Sequence, residues 1–275
     1  MARPNLSYLK NVSLVLTGIP CGLLVGLTGI GIGVLLLPVV GYLLGPKALK
    51  NPGTIEAVSL SAAAAGLVAY LQNGYVAWPL ALLLLMCQII GAALAQRAGI
   101  TSRTKPALLR AGAIVAILIG LSIAAASRMH APWLDVSGHQ AVLAQFTGAS
   151  HHSGFIVRAM VVGLLAGIVS EAFDLGGLLL PMAVTFGLGL APQWAQGISL
   201  AACVPLYALI LPLRAKGGLI EARPAVWISF GAVLGALFGG QTAAGSLSAH
   251  ALLVMSATLF SVLGILRFLQ TTPKK

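Results

Sequence analysis

Gly29-Ile-Gly31-Ile-Gly33-Val-Leu-Leu-Leu-Pro38 is a glycine-rich stretch within otherwise continuous hydrophobic sequence. In the second half of the chain the pattern returns as Asp174-Leu-Gly176-Gly177-Leu-Leu-Leu-Pro181. Backbone inside a bilayer must satisfy its own hydrogen bonds, so irregular backbone occurs there only when it is buried in protein or lines a polar cavity. Interrupted hydrophobic segments at matching places in two halves are typical of a transporter's substrate site. The two stretches therefore predict a transporter built from two repeats.

The composition excludes an ordinary soluble protein. Of the 275 residues, 59% are hydrophobic and only 8% are charged, whereas soluble domains carry about 25% charged residues. The net charge of +11 would suggest a nucleic-acid partner in a soluble protein. Here the cations stand in short segments between apolar runs, which is the pattern of orientation signals in membrane proteins. We therefore expect a polytopic protein whose partner is the lipid bilayer and which binds no nucleic acid.

The apolar runs predict an all-α fold with roughly eight to ten membrane segments, each about 15–23 residues long. The first run follows Arg3 and Lys10 without a small-residue cleavage site, so we expect a retained membrane segment and not a signal peptide. The runs are Leu14–Thr28, Ile30–Leu44, Ile55–Leu71, Val76–Ala95 and Ala107–Ala126 in the first half, and Phe155–Ser170, Leu175–Leu188, Trp194–Leu213, Ala225–Ala243 and Ala251–Leu269 in the second.

Small residues outside the two breaks also repeat. Gly22-Leu-Leu-Val-Gly26 corresponds to Gly163-Leu-Leu-Ala-Gly167, and Gly91-Ala-Ala-Leu-Ala corresponds to Gly235-Ala-Leu-Phe-Gly. Because the spacing between these pairs is nearly constant, the chain contains an internal duplication. We predict a first transmembrane repeat over residues 1–127, an extracytoplasmic linker over residues 128–154 and a second transmembrane repeat over residues 155–275.

The charge distribution favours a hairpin at each break over a single broken crossing. If residues 14–44 form a hairpin with both ends on one side, all but Arg128 and Arg158 of the 16 Lys and Arg residues lie on one face. This asymmetry places both termini in the cytoplasm. Each half then has an odd number of segments, so the repeats are predicted to have inverted topology. Whether the hairpins span the bilayer fully or re-enter it remains open.

The glycine-rich tips predict a binding site for a small anion. The second segment of each hairpin begins at the break, where its first N–H groups lack helical partners and carry the positive end of the helix dipole. Glycine also lets a ligand approach the backbone closely. The alternative is that these small residues only allow close helix packing. The predicted substrate-binding residues are Gly29, Gly31, Gly33, Gly176 and Gly177, with polar contributions from Thr54, Ser59 and Ser199.

Other features of the same segments carry further predictions. Thr54 and Ser199 fall at similar places in the two repeats, although a serine or threonine hydroxyl also bonds harmlessly to its own helix. Gln88, in the fourth segment, is a further polar candidate. Pro38 and Pro181 lie several residues into the second segments, where each is predicted to kink the helix and free a carbonyl group.

Three of the five acidic residues are predicted to lie at membrane depth, where an ionisable group indicates function. Glu171 and Asp174 stand at the second tip and Glu56 stands early in the third segment. We predict that these carboxylates bind a coupling proton or cation. For Glu56 the alternative is that its charge complements the dipole at the start of its helix. Asp135 and Glu221 are expected to be solvated.

No cofactor, metal centre or catalytic function is predicted. The histidines at positions 130, 139, 151 and 152, with Asp135, fit no ordinary zinc spacing. The sequence contains no HExxH, G-x-S-x-G or Walker motif, so neither a membrane hydrolase nor an ATP-driven pump is indicated.

The complete pattern resembles the sulfite exporter TauE/SafE family. The residues that carry the resemblance are Gly22-x3-Gly26-x2-Gly29-x-Gly31-x-Gly33-x4-Pro38, the second-half counterpart Gly163-x3-Gly167…Gly176-Gly177-x3-Pro181, and the small-residue runs from Gly91 and Gly235. The resemblance covers essentially the whole chain. It implies a secondary carrier in the cytoplasmic (inner) membrane of a bacterium, linked to export of sulfite or organosulfonates.

We therefore expect alternating-access transport of a small anion, such as sulfite, an organosulfonate or a carboxylate, coupled to protons or a cation. Two alternatives remain: an anion channel, and a membrane scaffold or assembly factor that transports nothing. The sequence leaves the oligomeric state open and is compatible with a homo-oligomer.

Overall fold

The computed structural model describes residues 6–31, 52–100, 106–128, 152–173, 177 and 179–271. These residues form nine α-helices and no strand, which confirms the predicted all-α fold. Seven of the helices are long and apolar enough to cross a membrane, as expected for a multi-pass membrane protein. The helices are α1 (Leu6–Thr28), α2 (Pro52–Gln72), α3 (Trp78–Arg97), α4 (Pro106–Arg128), α5 (His152–Phe173), α6 (Leu179–Leu188), α7 (Pro192–Lys216), α8 (Ala222–Gly245) and α9 (Ala249–Thr271).

Local sequence explains where several of these helices begin or end. Helices α2, α4 and α7 begin with a proline, a residue that is tolerated there because the first N–H groups of a helix have no intrahelical acceptor. At the end of α7, the N–H groups of Gly218 and Leu219 bond to the carbonyls of Ala215 and Arg214 at 3.0 and 3.1 Å. This Schellman arrangement needs a residue with positive φ, and Gly218 has a φ of 65°.

The described helices group into two compact units, and each unit combines helices from both halves of the sequence. Unit 1 comprises Met1–Asn73 and Leu200–Ser246, and unit 2 comprises Gly74–Ser199 and Leu247–Lys275. Helix α7 contributes its first eight residues to unit 2 and the remainder to unit 1. The compact units are thus a different division from the sequence repeats, whose boundaries at residues 127 and 155 remain a prediction.

In unit 1, α1 and α8 pack against each other through glycines on both helices. A Cβ atom at Gly22 would overlap with the carbonyl oxygen of Ala232, and one at Gly235 would overlap with that of Ile19. Both obstructing atoms belong to backbone, so only the absence of a side chain allows this approach. The facing glycines are Gly18, Gly22 and Gly26 on α1 and Gly231, Gly235 and Gly239 on α8.

The contacts in unit 1 also give the relative directions of its helices. Along α1, Gly18 lies against Ile228 and Gly26 lies against Ala236, so α1 and α8 run parallel. Along α2, Gly66 lies near Ala236 and Ala69 near Gly240, so α2 is parallel to α8 as well. Helices α1 and α2 therefore begin at the same end of unit 1, as the hairpin interpretation of the first break predicts.

Unit 2 repeats this construction with the equivalent helices. Gly163 and Gly167 of α5 pack directly on the backbone of α3, and Gly91 of α3 packs on the backbone of α5. The sequence duplication equates these residues with Gly22, Gly26 and Gly235 of unit 1. The match supports the duplication, while the inverted relation between the repeats remains a prediction.

The remaining helices of unit 2 form two antiparallel pairs. Helices α4 and α9 pack through Gly120, which lies against Ala257 and Ser261, and Gly264, which lies against Ile117. Helices α5 and α6 form the hairpin of the second break, with Gly187 against Val162.

Candidate functional site

Gly29 in unit 1 ends helix α1. Its φ of 65° is in the left-handed region, and its N–H group bonds to the Val25 carbonyl at 2.8 Å, as in an αL C-cap. Gly31 follows in a buried position. Gly29 thus stands at the carbonyl end of α1, a position that explains its conformation without a ligand. Gly33 and Pro38 lie outside the described residues, so the substrate-binding role of this tip remains a prediction.

Tyr70 satisfies a backbone carbonyl that the end of α1 leaves without a helical partner. Its hydroxyl donates to the Gly26 carbonyl oxygen at 2.8 Å, and the side chain is fully buried. Sequence spacing does not indicate this contact, because the two residues lie 44 positions apart. The bond fixes the end of α1 against α2 inside unit 1.

Replacing Tyr70 with phenylalanine is expected to destabilise the protein by about 1–3 kcal/mol, since it leaves a buried carbonyl oxygen without a donor. The measurement is thermal denaturation of the detergent-solubilised variant. Tyr75→Phe is the matched control, because Tyr75 contacts Trp194 through its ring, with centroids 5.7 Å apart. Equal melting temperatures for the two variants would contradict the assigned role of the Tyr70 hydroxyl.

Glu56 forms an ion pair with Arg214 in unit 1. The Arg214 Nε–H group donates to both carboxylate oxygens, at 3.0 and 3.2 Å. The side chain of Glu56 is 17% exposed and that of Arg214 is 28% exposed. The sequence predicted a role for Glu56 but not this partner, which lies 158 residues away. A coupling role for Glu56 remains a prediction.

Thr54 and Ser59, both predicted to bind substrate, use their hydroxyl groups within unit 1. The Thr54 Oγ1 atom accepts a hydrogen bond from the Glu221 N–H group at 2.9 Å, which joins the start of α2 to the turn before α8. The Ser59 hydroxyl donates to the Ile55 carbonyl of its own helix at 2.8 Å, as the alternative predicted. Ser59 also lies beside the Tyr207 hydroxyl.

Helix boundaries give a second alignment for one pairing made from the sequence. Counted from the prolines that begin α2 and α7, Glu56 and Gln196 are both fifth, and Ser59 and Ser199 are both eighth. Counting from the helix starts aligns Ser199 with Ser59, whereas the neighbouring glycines align it with Thr54, so the pairing of Ser199 with Thr54 stays a prediction. Gln196 and Ser199 are fully buried in unit 2, and sequence analysis missed Gln196.

The tip of the second hairpin lies in unit 2. Gly177 stands in a turn two residues before α6, and Glu171, with a partly exposed side chain, lies in the last turn of α5. Pro181 is only the third residue of α6. The predicted kink at Pro181 is therefore wrong, because N–H groups in the first turn have no intrahelical acceptor to lose. Prolines within helices occur instead at Pro20, Pro205 and Pro212.

Ser170 lies level with the start of α6. Gly187 of α6 packs against Val162 of α5. Leu179, the first residue of α6, lies eight residues before Gly187, and Ser170 lies eight residues after Val162. Because the two helices are antiparallel, Leu179 and Ser170 are at the same level. The Ser170 side chain is buried, with 9% exposure. Its Oγ atom makes no hydrogen bond to any residue in the described part of the chain.

Two further buried polar atoms on neighbouring helices also have no partner among the described residues. They are Oε1 of Gln88 on α3 and Oγ1 of Thr185 on α6. The backbone of Gln88 packs on Gly167 of α5, which lies one turn before Ser170. An unpartnered buried polar group costs about 1–3 kcal/mol, so such groups are candidates for binding a ligand. Helices α3, α5 and α6 thus each carry one such side chain.

Several predicted residues lie outside the described part of the chain. They are Gly33, Pro38, Asp174 and Gly176, together with His130, Asp135, His139 and His151 of the linker. Among the residues that the structure describes, no group of three or more His, Cys, Asp or Glu side chains could hold a metal ion.

Comparison with known proteins matches part of the chain to a family model. No curated protein and no solved structure matches the chain significantly. The model of the family described as Sulfite exporter TauE/SafE matches residues 2–125, a stretch that contains α1, α2, α3 and most of α4 but somewhat less than half of the chain. Over these residues, the resemblance to the sulfite exporter TauE/SafE family that the glycine motifs predicted is confirmed.

Proposed function

We propose that this multi-pass membrane protein is a secondary transporter in the bacterial cytoplasmic (inner) membrane, with both termini in the cytoplasm. It moves a small anion, such as sulfite, an organosulfonate or a carboxylate, outward by alternating access. The family match over residues 2–125 and the seven apolar helices support this assignment. The duplicated glycine-rich hairpins support a site built from interrupted helices.

The observation that carries the proposal is the start of α6. This helix has 10 residues and is about 15 Å long, which is half of the roughly 30 Å hydrocarbon thickness. Its N-terminal end lies beside the last turns of α5, which is a candidate membrane span, and we propose that it lies within the membrane. The free N–H groups of its first turn present partial positive charge there. An anion can therefore bind at depth without a buried lysine or arginine.

Ser170 and Gln88 supply the side chains of this site in unit 2. Ser170 lies level with the first turn of α6, and its hydroxyl can donate to an oxyanion. Gln88, one turn away along α5, contributes an amide group that can accept from a protonated anion or donate after rotation. Gly177, just before α6, leaves room for the anion. These groups suit sulfite, sulfonate and carboxylate, which are all small and carry several acceptor oxygens.

Glu171 is the proposed coupling residue, together with Asp174. A carboxylate next to a bound anion is repelled by it unless the carboxylate is protonated or paired with a cation. Binding of the anion therefore favours uptake of a proton or cation at Glu171, and this linkage couples the two movements.

The test is flux of labelled sulfite, small sulfonates and carboxylates in proteoliposomes. Ser170→Ala is expected to reduce flux about 10-fold or more, because a hydrogen bond to a charged group contributes about 1.5–3 kcal/mol. Ser122→Ala is the matched control, since Ser122 is exposed and bonds to the Ile119 carbonyl of its own helix. Equal loss in both variants, or none in either, would exclude Ser170 from the site.

A second arm tests coupling with an imposed pH gradient. Glu171→Gln is expected to remove the dependence of anion flux on the gradient, while Glu221→Gln, at an exposed position before α8, leaves it intact. Flux that never saturates with anion concentration would favour a channel. Absence of flux for every anion in the unmodified protein would favour the scaffold interpretation.

A further inference from the structure

The ion pair between Arg214 and Glu56 uses only part of the guanidinium group. Both carboxylate oxygens of Glu56 accept from the single Nε–H group of Arg214. An arginine–carboxylate pair normally forms two parallel bonds from two different nitrogens. The terminal nitrogens of Arg214 make no hydrogen bond to any other residue in the described ranges. They carry four N–H donors in a planar fork.

Capping of α7 does not account for this arginine. Arg214 lies in the last turn of the helix, where a cation can serve the final carbonyl groups. Those carbonyls already have partners, because Leu213, Arg214 and Ala215 accept from the N–H groups that follow them, at 3.0–3.2 Å. Among the residues that the structure describes, Glu56 is therefore the partner of the guanidinium, and the terminal nitrogens can bond to a further acceptor.

The surroundings of Arg214 in unit 1 favour a negatively charged ligand. Gly53, in the first turn of α2, lies directly against the stem of Arg214, where a Cβ atom would be 2.9 Å from the Arg214 Cβ. The positive end of the α2 dipole is thus close to the guanidinium. Lys216 ends α7 and Arg223 stands in the first turn of α8, and both are exposed on either side of the turn that carries Glu221.

We propose that the terminal nitrogens of Arg214 bind an oxyanion, with Glu56 acting as a positioning residue that holds the guanidinium through Nε. The planar fork matches two oxygens of a sulfite, sulfonate, carboxylate or phosphate group. The identification of that anion as substrate rests on the proposed transport function. The binding site itself rests on the geometry of unit 1 and is additional to the site at the start of α6.

Substitutions of Arg214 and of Glu56 are predicted to change the affinity for the anion in opposite directions. Arg214→Lys retains the charge but loses the fork, so we expect affinity for the anion to fall at least 10-fold. Glu56→Gln retains an oxygen that accepts from Nε but removes a negative charge close to the anion. We therefore expect Glu56→Gln to raise affinity by roughly three-fold or more. An ion pair with only a structural role predicts no change in anion affinity for either variant.

The experiment is isothermal titration calorimetry of the detergent-purified full-length protein with sulfite and with methanesulfonate. Arg223→Lys, at an exposed position in the first turn of α8, is the matched control and should bind as the unmodified protein does. Melting temperatures identify any variant that fails to fold. If Arg214→Lys fails to fold, Glu56→Gln still tests the proposal, because it should raise the affinity for the anion. Affinity unchanged in Arg214→Lys, or lowered in Glu56→Gln, would overturn the proposal.

A lipid headgroup has the same chemistry as a free oxyanion, so a third arm distinguishes the two sources. Titration is repeated after adding phosphatidylglycerol to the micelles. Competition between this lipid and methanesulfonate at Arg214 supports the oxyanion site, and binding of the lipid alone would exclude a small anion as its ligand.

Flux measurements separate the Arg214 proposal from the proposed transport function. If Arg214→Lys leaves proteoliposome flux unchanged while Ser170→Ala abolishes it, the protein is a transporter and Arg214 has no role in transport. If no anion is transported, the calorimetry still tests the Arg214 site by itself.

Discussion

Gly22→Ala and Gly235→Ala are each expected to destabilise the protein by about 1–3 kcal/mol, the usual cost of forcing an extra group into a packed interior. The added Cβ would overlap with the carbonyl oxygen of Ala232 in the first variant and of Ile19 in the second. Both are backbone atoms of a continuous helix, so they cannot rotate away as a side chain would. Relief requires α1 and α8 to separate along their whole contact.

The measurement is thermal denaturation in detergent, with Gly245→Ala as the control on the same helix. A Cβ atom at Gly245 would meet no atom within 4 Å, so this substitution should leave the melting temperature unchanged or slightly raised. The double variant Gly22→Ala/Gly235→Ala should lose less stability than the sum of the single variants, because one separation relieves both overlaps. A melting temperature for Gly22→Ala equal to that of Gly245→Ala would show that the interface is not closely packed.

Gly167→Ala is expected to reduce anion flux by at least about 10-fold, because it displaces α3 from α5 at the proposed site. The new Cβ would lie 2.9 Å from the Gln88 Cα and would overlap with the Gln88 carbonyl oxygen. Gln88 would therefore be displaced from α5, one turn before Ser170. A misplacement of about 1 Å is enough to remove productive contacts with a bound ligand.

Gly154→Ala is the control for this prediction, since it makes the same substitution on the same helix at a position with no atom within 4 Å. Flux and melting temperature are measured together for both variants. A folded Gly167→Ala protein with unchanged flux would contradict the site at α3 and α5. A lowered melting temperature together with unchanged flux would instead assign Gly167 to helix packing, which was the alternative for the glycines in the sequence.

The α-helices and many of their ends were predictable from residues close together in the chain. Apolar runs predicted every described helix to within four residues at each end, except that α1 begins eight residues before its run, at Leu6 and not at Leu14. Prolines at helix starts and glycines such as Gly218 at helix ends explain these boundaries. Such signals depend only on the conformation of a few adjacent residues. The glycine pattern also predicted the family that matches residues 2–125.

The site was less predictable, because its contacts join residues that are distant in sequence. Glu56 was selected as an ionisable residue at membrane depth, but its partner Arg214 is 158 positions away. Ser170 had no distinguishing neighbour in the sequence, and its significance comes from lying level with the start of α6. Gly29 was predicted to bind substrate and Pro181 to kink its helix, whereas Gly29 follows the end of α1 and Pro181 stands in the first turn of α6.

The amino-acid sequence by itself determined that the chain is an all-α membrane protein, where its helices lie, and which glycines recur in its two halves. These properties follow from local hydrophobicity, backbone preference and composition. Only the tertiary structure decided that helices of both halves combine in each unit, that Arg214 holds Glu56, and that the Gln88 backbone packs on Gly167. The physical reason is that close packing selects partners by the shape of whole helix faces, and sequence spacing carries no record of which faces meet.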